Sequence, residues 1–157
     1  MISDALQQAI DHLHIQDVYQ RWNQSRCAEG FYPQEADFNQ LQSQQMHAVR
    51  RSEVFSTSDR QKLLRVMLVM GIRWTVPAVQ EGGSEETVEP DIKALIEAEF
   101  VAEYWFTADL PNECLDAFAQ KNASYHVWPY WREYLMSQSE RLRLPKVMLA
   151  TRQLLHH

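Results

Sequence analysis

The sequence predicts a single α+β domain, and three observations predict it. Residues 63–76 and 92–107 alternate apolar and polar positions over long stretches. The last third of the chain switches to helical spacing, with apolar residues three and four apart. Strands therefore come first and helices after, in one chain of 157 residues with no internal repeat.

Residues 3–13 read as a short amphipathic helix. Ser3 is placed to cap it, and Leu6, Ala9, Ile10 and Leu13 share one face. Residues 15–26 fit two patterns. Ile15, Val18, Tyr19 and Trp22 would extend the helix; Ile15, Asp17 and Tyr19 would begin a first strand. Residues 30–45 are polar and turn-rich, with Pro33 and several glutamines, and read as a surface connection. Residues 46–55 follow as a strand with poor alternation, closed by the turn residues Ser56, Thr57, Ser58 and Asp59.

The clearest strand comes next. Leu64, Val66, Leu68, Met70, Ile72, Trp74 and Val76 fall on one face, with Arg65, Val69, Arg73 and Thr75 on the other. Strict period two excludes a helix, and Pro77 closes the segment. Residues 80–90 hold Gly82, Gly83 and four glutamates and read as an exposed hairpin connection. In 92–107, Ile92, Ala94, Ile96, Ala98, Phe100, Ala102, Tyr104 and Phe106 line one face. The opposite face carries Lys93, Glu97, Glu99 and Glu103, with Leu95, Val101 and Trp105 among them. The two strands form an antiparallel hairpin whose polar face sets arginines against glutamates.

Residues 110–145 read as a long helix, with Asn112 as its cap and Glu113 in the first turn. Cys114, Leu115 and Phe118 begin its apolar stripe. Pro129 kinks or restarts it, and Trp131, Leu135 and Leu142 continue it until Pro145. A short C-terminal segment, 146–157, completes the single domain.

Composition excludes several classes of function. The chain is 45% hydrophobic with a net charge of −6, so it carries enough apolar material for a core. Acidic residues outnumber basic ones, 21 to 15, which argues against binding nucleic acid. The basic pairs Arg50-Arg51 and Arg141/Arg143 are short and have acidic neighbours. No apolar run is long enough to insert into a membrane and no signal-peptide pattern opens the chain, so a cytoplasmic protein is expected. Cys27 and Cys114 form no metal-binding spacing and read as inert thiols. No phosphate loop, nucleophile elbow or zinc motif is present.

His12 and His14 lie two residues apart, which on a helix turns them to different sides. They read as solvated histidines rather than metal ligands. His126 lies beside Trp128 without a recognisable acid or nucleophile. Glu97, Glu99 and Glu103 are the carboxylates to weigh for hydrolysis, since alternate strand residues lie about 6.5–7 Å apart. Pairing with Arg65 and Arg73 accounts for the same row, and no enzyme is expected.

The aromatic content is the remaining signal: five Trp, six Tyr and six Phe against four Gly. Trp105 falls on the glutamate-bearing face, where a large ring needs cover from a subunit or a ligand. One helix face cannot bury Trp128, Tyr130, Trp131 and Tyr134 together.

One stretch resembles a known family. Val127-Trp128-Pro129-Tyr130-Trp131-Arg132-Glu133 is similar to the long-helix motif of the SecB export chaperones, an apolar pair before Pro-Tyr, then any residue, then Arg-Glu. Leu144-Pro145-Lys146-Val147-Met148-Leu149 resembles the family's Pro-containing apolar stretch, and His14-Ile15-Gln16-Asp17-Val18-Tyr19 faintly resembles its first strand. The resemblance spans residues 15–149. It implies a four-stranded antiparallel sheet with helices packed on one face, assembled as a homotetramer, a dimer of dimers. It implies a chaperone for unfolded or extended polypeptides, in protein transport or as guardian of an antitoxin, with an antitoxin or export motor as partner. It implies no cofactor, no metal and no catalysis. Only residues 150–157 follow the Pro stretch, so the family's second helix is expected to be short or missing, with the segment at 3–13 supplying some of its cover.

The residues expected to line the client surface are Trp22, Trp105, Trp128 and Trp131, with Tyr19, Phe55 and Tyr104 beside them. Apolar burial at about 25 cal/mol per Å² together with backbone contacts would hold the client. The alternative is a dedicated partner protein that holds one peptide or antitoxin tail.

Overall fold

The computed structural model describes residues 2–77 and 91–147. The proposed hairpin connection at 80–90 lies outside the described residues, as do 148–157 of the C-terminal segment. Four antiparallel strands form one sheet: β1 (Leu13–Cys27), β2 (Gln42–Ser56), β3 (Lys62–Val76) and β4 (Asp91–Phe106). Their order is β1-β4-β3-β2, so the two most apolar strands are central and the two most polar ones are edges. The hydrophobic pattern dictates this order, because only the central strands bury both faces.

Three helices pack against one face. These are α1 (Asp4–His12), α2 (Asn112–Lys121) and α3 (Ala123–Arg141). Their core holds Leu64, Val66, Leu68, Met70, Ile72 and Trp74 of β3, and Ala94, Ile96, Ala98, Phe100, Ala102 and Tyr104 of β4. The alternation read from the sequence runs as expected from Leu64 to Trp74 and from Ala94 to Phe106. A register shift between Trp74 and Thr75 then sets Ile92 opposite Thr75, which is buried although expected on the polar face, and Val76 is exposed at the strand end.

At the N-terminus Ser3 caps α1, its hydroxyl accepting from the Leu6 N–H at 3.2 Å. Leu6 and Ala9 are buried against the core, and Cys114 Sγ donates to Gln8 Oε1 at 3.6 Å, docking α1 on α2. The helix stops at His12, so the ambiguous segment that follows is a strand, and His14 lies on it rather than on a helix. Two register shifts interrupt β1, between Ile15 and Asp17 and between Gln20 and Trp22. They account for the weak alternation of this segment, since each inserted residue reverses the faces that follow.

The connection from β1 to β2 must cross from one edge of the sheet to the other. It does so in two short 3₁₀ turns, Pro33–Glu35 and Phe38–Gln40. Phe31, Phe38 and Leu41 pack partly against the core, with the two phenylalanine rings edge-on at 6.3 Å. The surface connection expected over 30–45 therefore ends early, because β2 begins at Gln42.

The single kinked helix expected over 110–145 is two helices. Asn122 separates α2 from α3, while Pro129 sits inside α3 on its exposed side and does not end it. A missing N–H that faces solvent disturbs the ladder less than one facing the core. Asn112 is not the cap of α2: Pro111 holds that position in an extended conformation, and Asn112 opens the helix. The end of α3 is a Schellman motif. Leu144 N–H donates to Ser139 C=O and Arg143 N–H to Glu140 C=O, with Arg143 at φ 59° and Leu144 buried beneath.

Candidate functional site

The sheet has a helix-covered face and an open face, and the sequence-predicted client residues divide between them. The pairing register places Tyr19 and Trp22 of β1, Phe55 of β2 and Trp105 of β4 on the open face. Trp22 and Trp105 are each 37% exposed, large rings left in solvent by this chain. Trp105 stacks on His14 with ring centroids 4.8 Å apart.

The remaining three face inward. Trp128 and Trp131 are buried on α3, Trp131 at 3% exposure, while Tyr130 on the opposite side is 52% exposed. The expectation that one face cannot bury all four rings of this cluster holds, with Tyr134 buried and Tyr130 left out. Tyr134 Oη meets Ser25 Oγ at 2.9 Å, fixing α3 to β1.

Tyr104 lies in the core and offers no surface to a client. Its ring meets Phe118 edge-on at 4.7 Å, and its hydroxyl meets His126 Nδ1 at 2.9 Å. Burial raises the Tyr104 phenol well above its ordinary value and lowers His126 below its own, so each stays neutral at neutral pH. Period two put Tyr104 on the apolar face correctly; which apolar face a helix would cover was not readable from it.

Trp128, Trp131 and Leu135 form one wall of a small cleft of about 70 Å³. Gln45, Met46 and His47 of β2, with Gly71 and Ile72 of β3, form the other. The inner-facing residues of β2 include the exposed Val54. Both edge strands are 15 residues long and mostly exposed. Their outward N–H and C=O groups have no strand partner among the described residues, a ready template for another chain.

The open face is laced by ion pairs that bridge strands. Arg65 Nε donates to Glu103 at 3.0 Å and Arg65 Nη1 to Glu53 at 3.0 Å. Its guanidinium lies 4.0 Å from the centre of the Phe55 ring. Tyr19 Oη donates to the same Glu103 at 3.4 Å, so one network spans all four strands. Burial and the Glu103 carboxylate raise the Tyr19 phenol. Arg73 Nε donates to Glu97 at 3.1 Å, and Arg50 Nη1 to Glu99 at 3.5 Å. Each carboxylate weighed for hydrolysis is thus held by an arginine, Glu103 and Glu97 by the expected Arg65 and Arg73, and Glu99 by Arg50 of β2, which the sequence reading did not pair with it. Met67, Val69, Leu95 and Val101 are buried on this face although no helix among the described residues packs there, which long side chains lying over them account for.

Among the described residues no cluster of three or more His, Cys, Asp or Glu is placed to hold a metal, and no helix is long and apolar enough to cross a membrane. Cys27 and Cys114 are unbridged, and burial raises the Cys27 thiol.

This architecture is the SecB-like fold. Over 99% of both chains it superposes on the Mycobacterium tuberculosis Rv1957 SecB-like chaperone, solved in complex with a ChAD peptide from the Rv1956 HigA1 antitoxin, with a TM-score of 0.66 and 18% identity. No family model and no curated protein matches the sequence.

Proposed function

We propose that this protein is a chaperone that binds unfolded or extended polypeptides. The observation that carries the reading is the inner side of β2. There a mostly exposed 15-residue edge strand runs beside a cleft walled by Trp128, Trp131 and Leu135. An extended chain laid along it would gain backbone hydrogen bonds from the edge, with little demand on its sequence, while the already buried wall adds little apolar area. The exposed rings of Trp22 and Trp105, with the half-buried Tyr19 and Phe55, offer further apolar contacts at separate rows of the open face. Two edges without a strand partner among the described residues also support self-association, and a cytoplasmic homotetramer built as a dimer of dimers is the assembly we infer. Service to protein transport is one setting for such binding.

A second reading has its own support. The Rv1957 structure holds an antitoxin peptide on the same fold, which favours a dedicated partner such as an antitoxin tail. Aggregation of a reduced, unfolding client, followed by light scattering with increasing chaperone, tests the first reading. Suppression is expected, and its absence at every stoichiometry would end that proposal. Pull-down separates the two, since a single stoichiometric partner supports the dedicated version and a spread of unfolded chains the general one.

A further inference from the structure

Two β-bulges on opposite edges of the sheet deliver three arginines to one place. On β1 the register shifts between Gln20 and Trp22, so Arg21 is the inserted residue. On β2 it shifts between Val49 and Arg51, so Arg50 is inserted. Both insertions flank the same row of the sheet, Gln20-Phe100-Leu68-Val49. A bulge turns two successive side chains toward one face. Arg21, Arg50 and Arg51 accordingly line a single open-face cavity of about 350 Å³, with Met67 as its floor and Glu99 as the only acid in its lining.

The charges there do not cancel. Glu99 is 8% exposed and takes Arg50 at 3.5 Å; Arg51 touches Glu53 at 3.8 Å, but Glu53 is held more closely by Arg65. Arg21 makes no ion pair among the described residues. One buried carboxylate, paired with Arg50 alone, stands against three guanidinium groups and leaves positive charge facing outward, on a chain whose net charge is −6.

We propose that this cavity is an anion-binding site for the carboxylates of an acidic polypeptide segment. The form of the ligand rests on the polypeptide-binding reading above. The site itself favours it over a small ion: the Arg50 and Arg51 side chains are 59% and 62% exposed, so their donors spread over an open surface rather than closing around one anion. The cavity falls in the roughly 300–1,000 Å³ range of sites for organic ligands. Guanidinium forks match carboxylates in pairs, and Trp22, opposite Glu99, gives the aliphatic part of such a segment an apolar neighbour.

The test is anisotropy of a labelled glutamate-rich peptide and of a lysine-rich peptide of equal length, titrated with the full chain. The acidic peptide is expected to bind, more weakly as salt rises, and R21Q/R50Q/R51Q to lose about tenfold or more. Glu99→Gln, which removes the internal acid, is expected to tighten binding several-fold and guards against a loss caused by misfolding. Equal binding of both peptides, or no loss in the triple variant, would overturn the proposal. So would full displacement by inorganic phosphate at matched ionic strength, which would mark a small-ion site. Aggregation of an uncharged client is measured in parallel. If suppression fails while arginine-dependent peptide binding persists, the chaperone reading falls and the anion site stands.

Discussion

The guanidinium of Arg65 lies over the ring of Phe55, 4.0 Å from its centre, while its nitrogens hold Glu53 and Glu103. One side chain on a central strand thereby joins an edge strand to the far half of the sheet. Phe55, read from the sequence as a client contact, is committed on one face to this stack.

Arg65→Met keeps the stem and removes the fork. It should lower stability by about 2 kcal/mol, because Glu103 is mostly buried and loses its charged donor. Urea unfolding of R65M, E103Q and the double variant measures this, with a coupling of about 1 kcal/mol expected between the two positions. Strict additivity would show that the pair contributes nothing.

The exposed and buried aromatics should behave oppositely. Trp22→Ser and Trp105→Ser are expected to change stability by less than about 1 kcal/mol and to reduce client suppression several-fold. Tyr104→Phe removes the hydroxyl that meets His126 and should cost about 1 kcal/mol, leaving suppression per folded molecule unchanged. Light scattering at matched folded fractions compares them.

Burial depresses His126, so the unfolded chain takes up its proton at a higher pH than the native one. Stability is then complete above the ordinary histidine value of about 6.5 and falls as the pH drops below it, at no more than about 1.4 kcal/mol per pH unit. Urea midpoints of the wild type and His126→Asn across this window report the effect. The variant should show a shallower acid limb, and parallel limbs would assign the loss to other groups.

Arg143 adopts a left-handed conformation where the Schellman motif favours glycine. Arg143→Gly should raise stability by about 1 kcal/mol by relieving the contact between Cβ and backbone. Thermal unfolding reads the gain as a higher Tm.

Gly71 serves a close approach. A Cβ there would stand 2.9 Å from Cγ of Glu97 and 3.4 Å from the Met46 terminal methyl. Gly71→Ala should displace Glu97 from Arg73 and cost about 1–3 kcal/mol in urea unfolding. An unchanged midpoint would show that the Glu97 arm moves aside freely.

The central strands were legible because burial on the helix side imposes period two on every inward residue from Leu64 to Trp74. The edges were not, since β2 buries almost nothing and β1 changes face at each inserted residue. The arginine cavity was hidden for the same reason: Arg21 lies far from Arg50 in the chain, and only the bulges turn both to one side. Alternation placed Trp105 with the glutamates, but Tyr104 was weighed as a surface ring because its cover, Phe118 and His126, comes from helices late in the chain. Pro129 drew the expected break seven residues past Asn122, because local propensity cannot tell a proline facing solvent from one facing the core.

The paired bulges also limit what the edges can recruit. Each divides its strand's ladder into shorter runs, 42–49 and 51–56 on β2, and on β1 a break that leaves 22–27 as a separate run. A flat, uninterrupted margin would invite indefinite stacking of identical chains into fibrils. A margin cut near its middle pairs in register only over a short stretch, which lets a passing segment attach and leave while denying copies of the protein a continuous template.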